Sequence, residues 1–245
     1  MANRQRIHIG TSGWHYGHWK GPFYPRSVAS EDFLKFYCQK FHTTEINNSF
    51  YRLPESSTLK TWKDTVPSDF IFAAKASRYI THMKKLKDPE ESLAKFMERM
   101  TDLGEKLGPI LFQLPPHWSF NAERLRSFLA ALPQNFRFAL EFRDPRWIND
   151  ETFQVLADRG AAFCIFEIAG YLSPKEVTAD FVYIRLHGPD GAYAGSYDRE
   201  TLAKWARDIR AWTDRGKDVF CYFDNDQAGY AAQNALELQE MLAED

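Results

Sequence analysis

Charged and amide side chains recur at the ends of short apolar runs along this sequence. The lysine and arginines among them could hold a phosphate or carboxylate group, because ammonium and guanidinium groups donate several hydrogen bonds to such anions. The acidic residues and the histidine could accept and donate protons. The residues concerned are Glu45, Asn47, Lys75, Gln113, Glu141, Arg143, Glu167, Arg185, His187 and Asp224.

The spacing of these residues along the apolar runs explains why they could meet. Side chains two residues apart on a β-strand point to the same face. Glu45 therefore shares a face with Asn47, and Arg185 shares one with Tyr183 and His187. If these faces point into a barrel, the polar side chains of successive strands converge at one end of it.

The apolar runs themselves predict the fold. Eight of them alternate with helical patterns, which is typical of a (β/α)₈ TIM barrel with reactive groups at the C-terminal ends of its strands. The chain has 245 residues and no Ser/Gly/Pro-rich linker, so we expect one α/β domain over residues 1–245. The predicted strands are Ile7–Gly10, Thr43–Asn47, Phe70–Lys75, Ile110–Gln113, Phe136–Arg143, Ala161–Glu167, Phe181–His187 and Val219–Asp224.

Capping and stop signals delimit the predicted helices. Asp88 precedes a proline and two glutamates, a pattern that predicts a helix with Asp88 as its N-cap. This helix is predicted to stop at Gly108 and Pro109. Asn121 and Asp198 are predicted to cap two later helices.

Composition excludes several classes of protein. The formal net charge is -2, so no global basic bias favours nucleic acid. The N-terminus lacks the apolar stretch of a signal peptide, and no run of about 18 apolar residues could span a membrane. Three cysteines without metal spacing suit a reducing cytosol, with Cys164 and Cys221 as buried strand residues. We therefore expect a cytoplasmic protein with no membrane association.

The histidines argue against a metal centre. Only His187 falls at a predicted strand end, and neither HExxH nor another paired-histidine spacing occurs. No metal ligand and no cofactor is therefore predicted. Carboxylates alone could bind a divalent cation, which leaves that alternative open without support from ligand spacing.

The predicted function is that of an enzyme acting on an anionic small molecule by carboxylate and histidine acid–base chemistry, with hydrolase, lyase and isomerase reactions all open. Arg143, Arg185 and Lys75 would hold the anion. The predicted catalytic residues are Glu45, Glu141, His187 and Asp224, and the predicted substrate-binding residues are Trp14, Asn47, Lys75, Gln113, Arg143, Arg185 and Asn225.

Two alternatives come from other classes of function. Trp14, Tyr16 and their aromatic neighbours form a lid-like segment after the first strand, and the loop from Arg78 to Lys87 is basic with interleaved aromatic residues. Such surfaces bind single-stranded nucleic acid through stacking and phosphate contacts. A ligand sensor without catalysis is the other alternative. Substrate and oligomeric state are left open.

The polar strand ends also resemble a known family, the YecE-like family, catalogued as domain of unknown function 72. The resemblance runs from about residue 7 to the last helix and implies a TIM barrel, similar in architecture to the endonuclease IV-type and xylose isomerase-like barrels. It supplies no reaction, and the histidine set of endonuclease IV-like metal sites is missing. The segments that carry it are Gly10 to Trp14, Glu45 to Tyr51, Phe72 to Lys75, Phe112 to Pro116, Glu141 to Arg143, Tyr183 to Gly188 and Tyr222 to Asp226.

The chain departs from the family pattern at two predicted strand ends. The segment from Asp224 to Asp226 stands where a paired asparagine is more usual. Glu167 stands where the family usually has an aspartate after the sixth strand. Both departures concern residues of the expected site.

Overall fold

A computed structural model describes residues 6–243. These residues form two compact units. The first comprises residues 6–45, 165–173 and 180–243, and the second comprises residues 46–164 and 174–179. The expectation of one domain over 1–245 stays a prediction, and its first five and last two residues lie outside the described part.

Strands and helices alternate along most of the described residues, as expected of a (β/α)₈ fold, but the helix expected between the sixth and seventh predicted strands is absent there, and residues 169–180 hold a short strand instead. The strands are β1 (Ile7–Thr11), β2 (Thr43–Ile46), β3 (Ile71–Lys75), β4 (Leu107–Leu114), β5 (Phe138–Phe142), β6 (Ala162–Ile168), β7 (Tyr171–Leu172), β8 (Phe181–Leu186) and β9 (Asp218–Phe223). The α-helices are α1 (Phe33–Tyr37), α2 (Ser56–Thr65), α3 (Glu90–Met100), α4 (Ala122–Ala130), α5 (Asp150–Ala157), α6 (Arg199–Asp214) and α7 (Tyr230–Ala243).

The first unit contains a parallel sheet built on β9. β9 pairs with β1 on one side, with Gly10 opposite Tyr222, and with β8 on the other, with Arg185 opposite Tyr222. A parallel bridge between Ser12 and Glu45 adds the end of β2. This register brings polar residues that follow different strands to the same end of the sheet.

The second unit contains the parallel strands β3, β4 and β5 and the start of β6. β4 and β5 pair residue by residue, with Gln113 directly opposite Glu141. The predicted start of β4 was wrong: it begins at Leu107, so Gly108 and Pro109 lie inside the strand. The register between β3 and β4 shifts there, which suits a proline because it has no amide hydrogen for the sheet ladder.

Other predicted boundaries are confirmed or corrected by local geometry. Asn121 and Asp198 accept hydrogen bonds from the first turns of α4 and α6, as predicted. The prediction for Asp88 was wrong, because α3 begins at Glu90 with Pro89 at the N-cap position. The helix ends at Met100 and a 3₁₀ segment follows it, instead of continuing to Gly108.

One strand was not predicted. β7 pairs antiparallel with the end of β6 through a hairpin whose tip residues, Ala169 and Gly170, both have positive φ. Two such residues are what a tight type I′ hairpin turn requires. A two-residue strand is too short to leave a periodic signal in a sequence.

The three cysteines are free thiols. Cys164 on β6 and Cys221 on β9 are buried, as their strand positions predicted, and burial raises the pKa of Cys221. Cys38 is partly exposed. Among residues 6–243, no helix has both the length and the apolar character that crossing a bilayer requires.

Candidate functional site

A buried ionic cluster lies at the strand ends of the first unit. Arg185 Nη2 is 2.8 Å from Oε1 of Glu45 and 2.8 Å from Oδ2 of Asp224, and it also donates to the hydroxyl of Ser12 at 3.1 Å. The side chain of Arg185 is fully buried, as is that of Glu45. We call Ser12, Glu45, Tyr183, Arg185, His187 and Asp224 the Arg185 cluster.

Glu45 is the acceptor on which most of the donors in this cluster converge. Its Oε1 accepts from Ser12 and from Nε and Nη2 of Arg185, the latter at 3.2 and 2.8 Å. Its Oε2 accepts from the phenol of Tyr183 at 2.6 Å. Because a buried carboxylate is tolerated only with charge and hydrogen-bond partners, these donors account for a glutamate with no exposed surface.

The contacts of His187 define its tautomer. Its Nε2 lies 3.3 Å from Nη1 of Arg185, and its Nδ1 lies 3.0 Å from Oδ2 of Asp224. A guanidinium can only donate, so Nε2 accepts and the proton resides on Nδ1, which donates to Asp224. Each ring nitrogen of His187 thus has a hydrogen-bond partner within the cluster.

Strand alternation accounts for much of this geometry. Tyr183, Arg185 and His187 occupy alternate positions along β8 and just beyond it, and all three join the cluster, as the spacing predicted. Of the predicted site residues, the structure thus brings together Glu45, Arg185, His187 and Asp224. Ser12 and Tyr183 were not among the predicted site residues.

Glu167 does not join the cluster. Its Oε2 accepts from the indole N–H of Trp205 on α6 at 3.4 Å, and its backbone carbonyl accepts from the amide of His187. Glu167 lies opposite Leu172 in the hairpin that β6 forms with β7.

Tyr16 adjoins the Arg185 cluster, which the sequence did not predict. Its phenol donates to the backbone carbonyl of Ser12 at 2.7 Å. Burial, followed by the negative charges of Asp224, Asp226 and Glu45, raises the pKa of this phenol. Tyr16 therefore remains a hydrogen-bond donor over the physiological pH range.

Asp226 is a second unpredicted neighbour. Burial and then the charge of Asp224 raise the pKa of Asp226, while His18, 3.9 Å away, lowers it. The sequence signal was the acidic segment that follows β9, but only the fold shows that the two carboxylates influence each other.

The predicted binding residues Trp14 and Asn225 are both buried in the first unit. Trp14 has 6% of its surface exposed, and its carbonyl accepts from Tyr24 at 2.5 Å. Asn225 donates from Nδ2 to Gly195 and Asn234, while its Oδ1 has no hydrogen-bond partner within residues 6–243. The aromatic segment around Trp14 is thus largely packed into the unit.

A second set of predicted residues meets in the second unit. Gln113 donates to Oε1 of Glu141 at 3.0 Å, and Arg143 forms an ion pair with the same oxygen. Glu141 is fully buried, whereas the Arg143 side chain retains 14% exposure. We call Gln113, Glu141 and Arg143 the Glu141 group. The β4–β5 register explains the first contact, because it places Gln113 opposite Glu141.

Lys75 and His82 contact the same aromatic ring in this unit. Nζ of Lys75 lies 4.3 Å from the centroid of Phe50, and the ring of His82 lies 5.0 Å from it. Burial lowers the pKa of His82, and so do the positive charges of Lys75, Arg78 and Arg143. His82 was not predicted as a site residue, because its environment depends on Phe50 from another loop.

Asn47 is half-buried, and its Oδ1 has no hydrogen-bond partner in the described part of the chain. The basic loop after β3 contains a single π-helical turn, Tyr79–Met83, in which Tyr79 and Met83 are exposed.

No group of three or more histidine, cysteine, aspartate or glutamate side chains within residues 6–243 is arranged to hold a metal ion.

Comparison with known proteins finds relatives whose descriptions name families of unknown function. A family model described as "Protein of unknown function DUF72" matches residues 8–245. The chain is 27% identical over 269 residues to UPF0759 protein YunF of Bacillus subtilis (strain 168), an alignment that covers 96% of this chain and 94% of YunF. It is 27% identical over 157 residues to UPF0759 protein YecE of Escherichia coli (strain K12), covering 63% of this chain and 54% of YecE.

Solved structures confirm the fold class. A DUF72 family protein from Thermotoga maritima MSB8 has a TM-score of 0.89 at 29% identity, covering 98% of this chain and 100% of that one. D-psicose 3-epimerase from Clostridium cellulolyticum H10, solved with D-tagatose, has a TM-score of 0.52 at 11% identity, covering 96% of each chain. The second likeness concerns the fold alone. The predicted TIM-barrel-like α/β fold is thus confirmed.

Proposed function

Since this chain belongs to the DUF72 family, whose description names no activity, we propose a function from its own residues. The protein is an enzyme that binds a phosphate- or carboxylate-bearing small molecule in its second unit and acts on it by acid–base chemistry. The residues that carry the proposal are Lys75, His82, Glu141 and Arg143.

The charge balance around Phe50 and the Glu141 group is the main support. Lys75, with 6% of its surface exposed, lies against the Phe50 ring. Burial lowers the pKa of His82, and the charges of Lys75, Arg78 and Arg143 lower it further, so all three cations influence the same imidazole. These cations would attract an anion, and Arg143 offers the planar donors that suit phosphate or carboxylate.

Glu141 is the proposed acid–base residue. It is buried, and its contacts with Gln113 and Arg143 hold its carboxylate in one orientation. His82, whose lowered pKa favours the neutral imidazole, is a second group able to accept a proton. The catalytic roles predicted for Glu45, His187 and Asp224, and anion binding by Arg185, stay predictions. Because these side chains already bond one another, we propose that they primarily hold the first unit together.

Sulfate titration tests the anion site, because sulfate keeps its charge across the pH range of interest. We expect calorimetry to show that Lys75→Gln weakens sulfate binding at least about tenfold, the effect of losing one partly buried charge contact of about 1.4 kcal/mol. Glu141→Gln should bind sulfate at least as well as the parent, while losing turnover on any phosphorylated or carboxylated substrate that a panel identifies.

Lys87→Gln is the matched control, because Lys87 is an exposed lysine of the same basic loop. If Lys87→Gln and Lys75→Gln weaken sulfate binding equally, sulfate is attracted by the general surface charge, which would contradict a defined anion site. Binding without turnover of any panel compound would favour the ligand sensor.

The pH dependence of sulfate binding is a separate prediction. A histidine whose pKa is lowered by folding binds its proton less tightly in the folded state, so it contributes stability that is lost as pH falls below its ordinary value of 6.5. A bound anion offsets the nearby positive charges and raises the pKa of His82. By linkage, sulfate affinity should rise as pH falls below 6.5. If sulfate affinity depends on pH in the same way in His82→Gln as in the parent, His82 is not the origin of the pH dependence.

A second candidate function is binding of single-stranded nucleic acid, favoured by exposed side chains near the basic loop. Tyr51 is 70% exposed, Tyr79 48% and Met83 65%. Exposed rings beside Lys84 and Arg78 could stack on bases and contact phosphates. Replacing sulfate with a labelled oligodeoxythymidine in the same titrations discriminates the two functions, since only nucleic-acid binding would depend on Tyr51 and Tyr79.

A further inference from the structure

A cavity separate from the residues above lies in the second unit, between the π-helical turn Tyr79–Met83 and the first turns of α3. Its volume is about 380 Å³, which falls within the range of small-molecule pockets. Tyr79, Ile80 and Lys84 line it from the turn, and Glu91, Lys95 and Phe96 line it from the helix. None of these residues belongs to the Glu141 group or contacts it in the described hydrogen bonds.

The lining of the cavity combines apolar surface with a charged edge, in which Lys84 and Lys95 stand beside one acidic residue, Glu91. Ile80 and Phe96 are 1% and 2% exposed and form the buried wall behind the cavity, whereas Tyr79, which is 48% exposed, and the half-buried Leu53 present its accessible apolar surface. Lys95 is exposed, and Nζ of Lys84 lies 5.8 Å from the ring centroid of Tyr79. Such a lining suits a ligand with one apolar face and one negative group.

The backbone that holds Lys84 is strained. Lys85, Leu86 and Asp88 all have positive φ, at 47°, 62° and 42°, which costs energy for residues other than glycine. Nζ of Lys84 donates to the carbonyl of Asp88 at 2.9 Å, and the amide of Leu86 donates to Ile80 at 3.0 Å. Strained backbone and π-helical turns are both concentrated at ligand sites.

We propose that this cavity binds a small molecule in which an apolar ring carries a phosphate or carboxylate group. The ring packs on Tyr79 and Leu53, and the anionic group lies between Lys84 and Lys95. The site is distinct from the one in which Lys75 and Arg143 are proposed to act.

Three probes test recognition of the apolar ring and of the anionic group separately: phenyl phosphate carries both, inorganic phosphate only the anion and phenol only the ring. Two-dimensional amide NMR of the full chain should show phenyl phosphate shifting the resonances of Ser77, Tyr79 and Ser92. Its dissociation constant should be at least about tenfold lower than that of either fragment, because only it contacts both the apolar surface and the lysines. Equal affinity for phenyl phosphate and inorganic phosphate would overturn the proposal.

Variants locate the binding. Lys95→Gln should weaken phenyl phosphate binding about five- to tenfold and leave phenol unchanged, and Ser92→Phe should block the cavity. Lys87→Gln is the exposed control. If the chemical-shift changes caused by phenyl phosphate vanish in Lys75→Gln but persist in Lys95→Gln and Ser92→Phe, the compound binds at the Lys75 site. That result would refute a separate site in the cavity. Loss of phenyl phosphate binding in Lys95→Gln, with sulfate binding retained, would support a site in the cavity independently of the proposed function.

Discussion

Arg185→Met should destabilise the protein by about 3–5 kcal/mol, because it leaves Glu45 and Asp224 buried without their shared positive charge. The arginine is fully buried, so water cannot replace its hydrogen bonds without opening the unit. Urea unfolding followed by circular dichroism measures the change in the free energy of unfolding.

Arg199→Met provides the control, because Arg199 also pairs with a carboxylate, Glu237, but on the surface. Its loss should cost no more than about 1 kcal/mol. Adding Glu45→Gln and Asp224→Asn to Arg185→Met should restore part of the lost stability by removing the unpaired charges. If Arg185→Met and Arg199→Met cost the same, the buried cluster does not carry the stability assigned to it.

Gly188→Ala should cost more than about 2 kcal/mol, and it should also disturb the surroundings of His187. Gly188 has φ of 114°, and an added Cβ would lie 2.2 Å from the carbonyl oxygen of Ala194. The loop that must move to relieve this clash also carries Tyr193, whose ring is 5.6 Å from that of His187.

Gly17→Ala is the corresponding control, since a Cβ there meets no atom within 4 Å and the backbone is not in the left-handed region. Thermal unfolding compares the two variants, and the NMR signals of the His187 ring report the local effect. A Gly188→Ala protein with parental stability would show that the loop from residue 188 to 195 can rearrange freely.

Strand periodicity made part of the candidate site predictable. Residues at alternate positions of one strand must share a face, which sufficed to group Tyr183 with Arg185 and His187. Parallel strands end at the same edge of a sheet, which joined Asp224 to them and Gln113 to Glu141. These relations depend on backbone geometry alone and therefore appear in the sequence.

Contacts made by loops were not predictable in the same way. Tyr16 reaches the Arg185 cluster, and His82 reaches Phe50, only because long connections fold back over strand ends. Pro109 suggested a boundary, yet a register shift accommodates it within β4. Glu167 followed the alternation rule, yet its carboxylate accepts from Trp205 of α6, a contact that depends on how this helix packs and not on strand periodicity.

The unequal burial of the three thiols has a practical outcome for spectroscopy. Cys164 and Cys221 are enclosed in strands, so an alkylating dye would reach neither without unfolding the protein. Cys38, just after α1, is partly open. The native chain thus offers a single attachment point for a maleimide fluorophore, and labelling at the other two cysteines would signal local opening of the sheets.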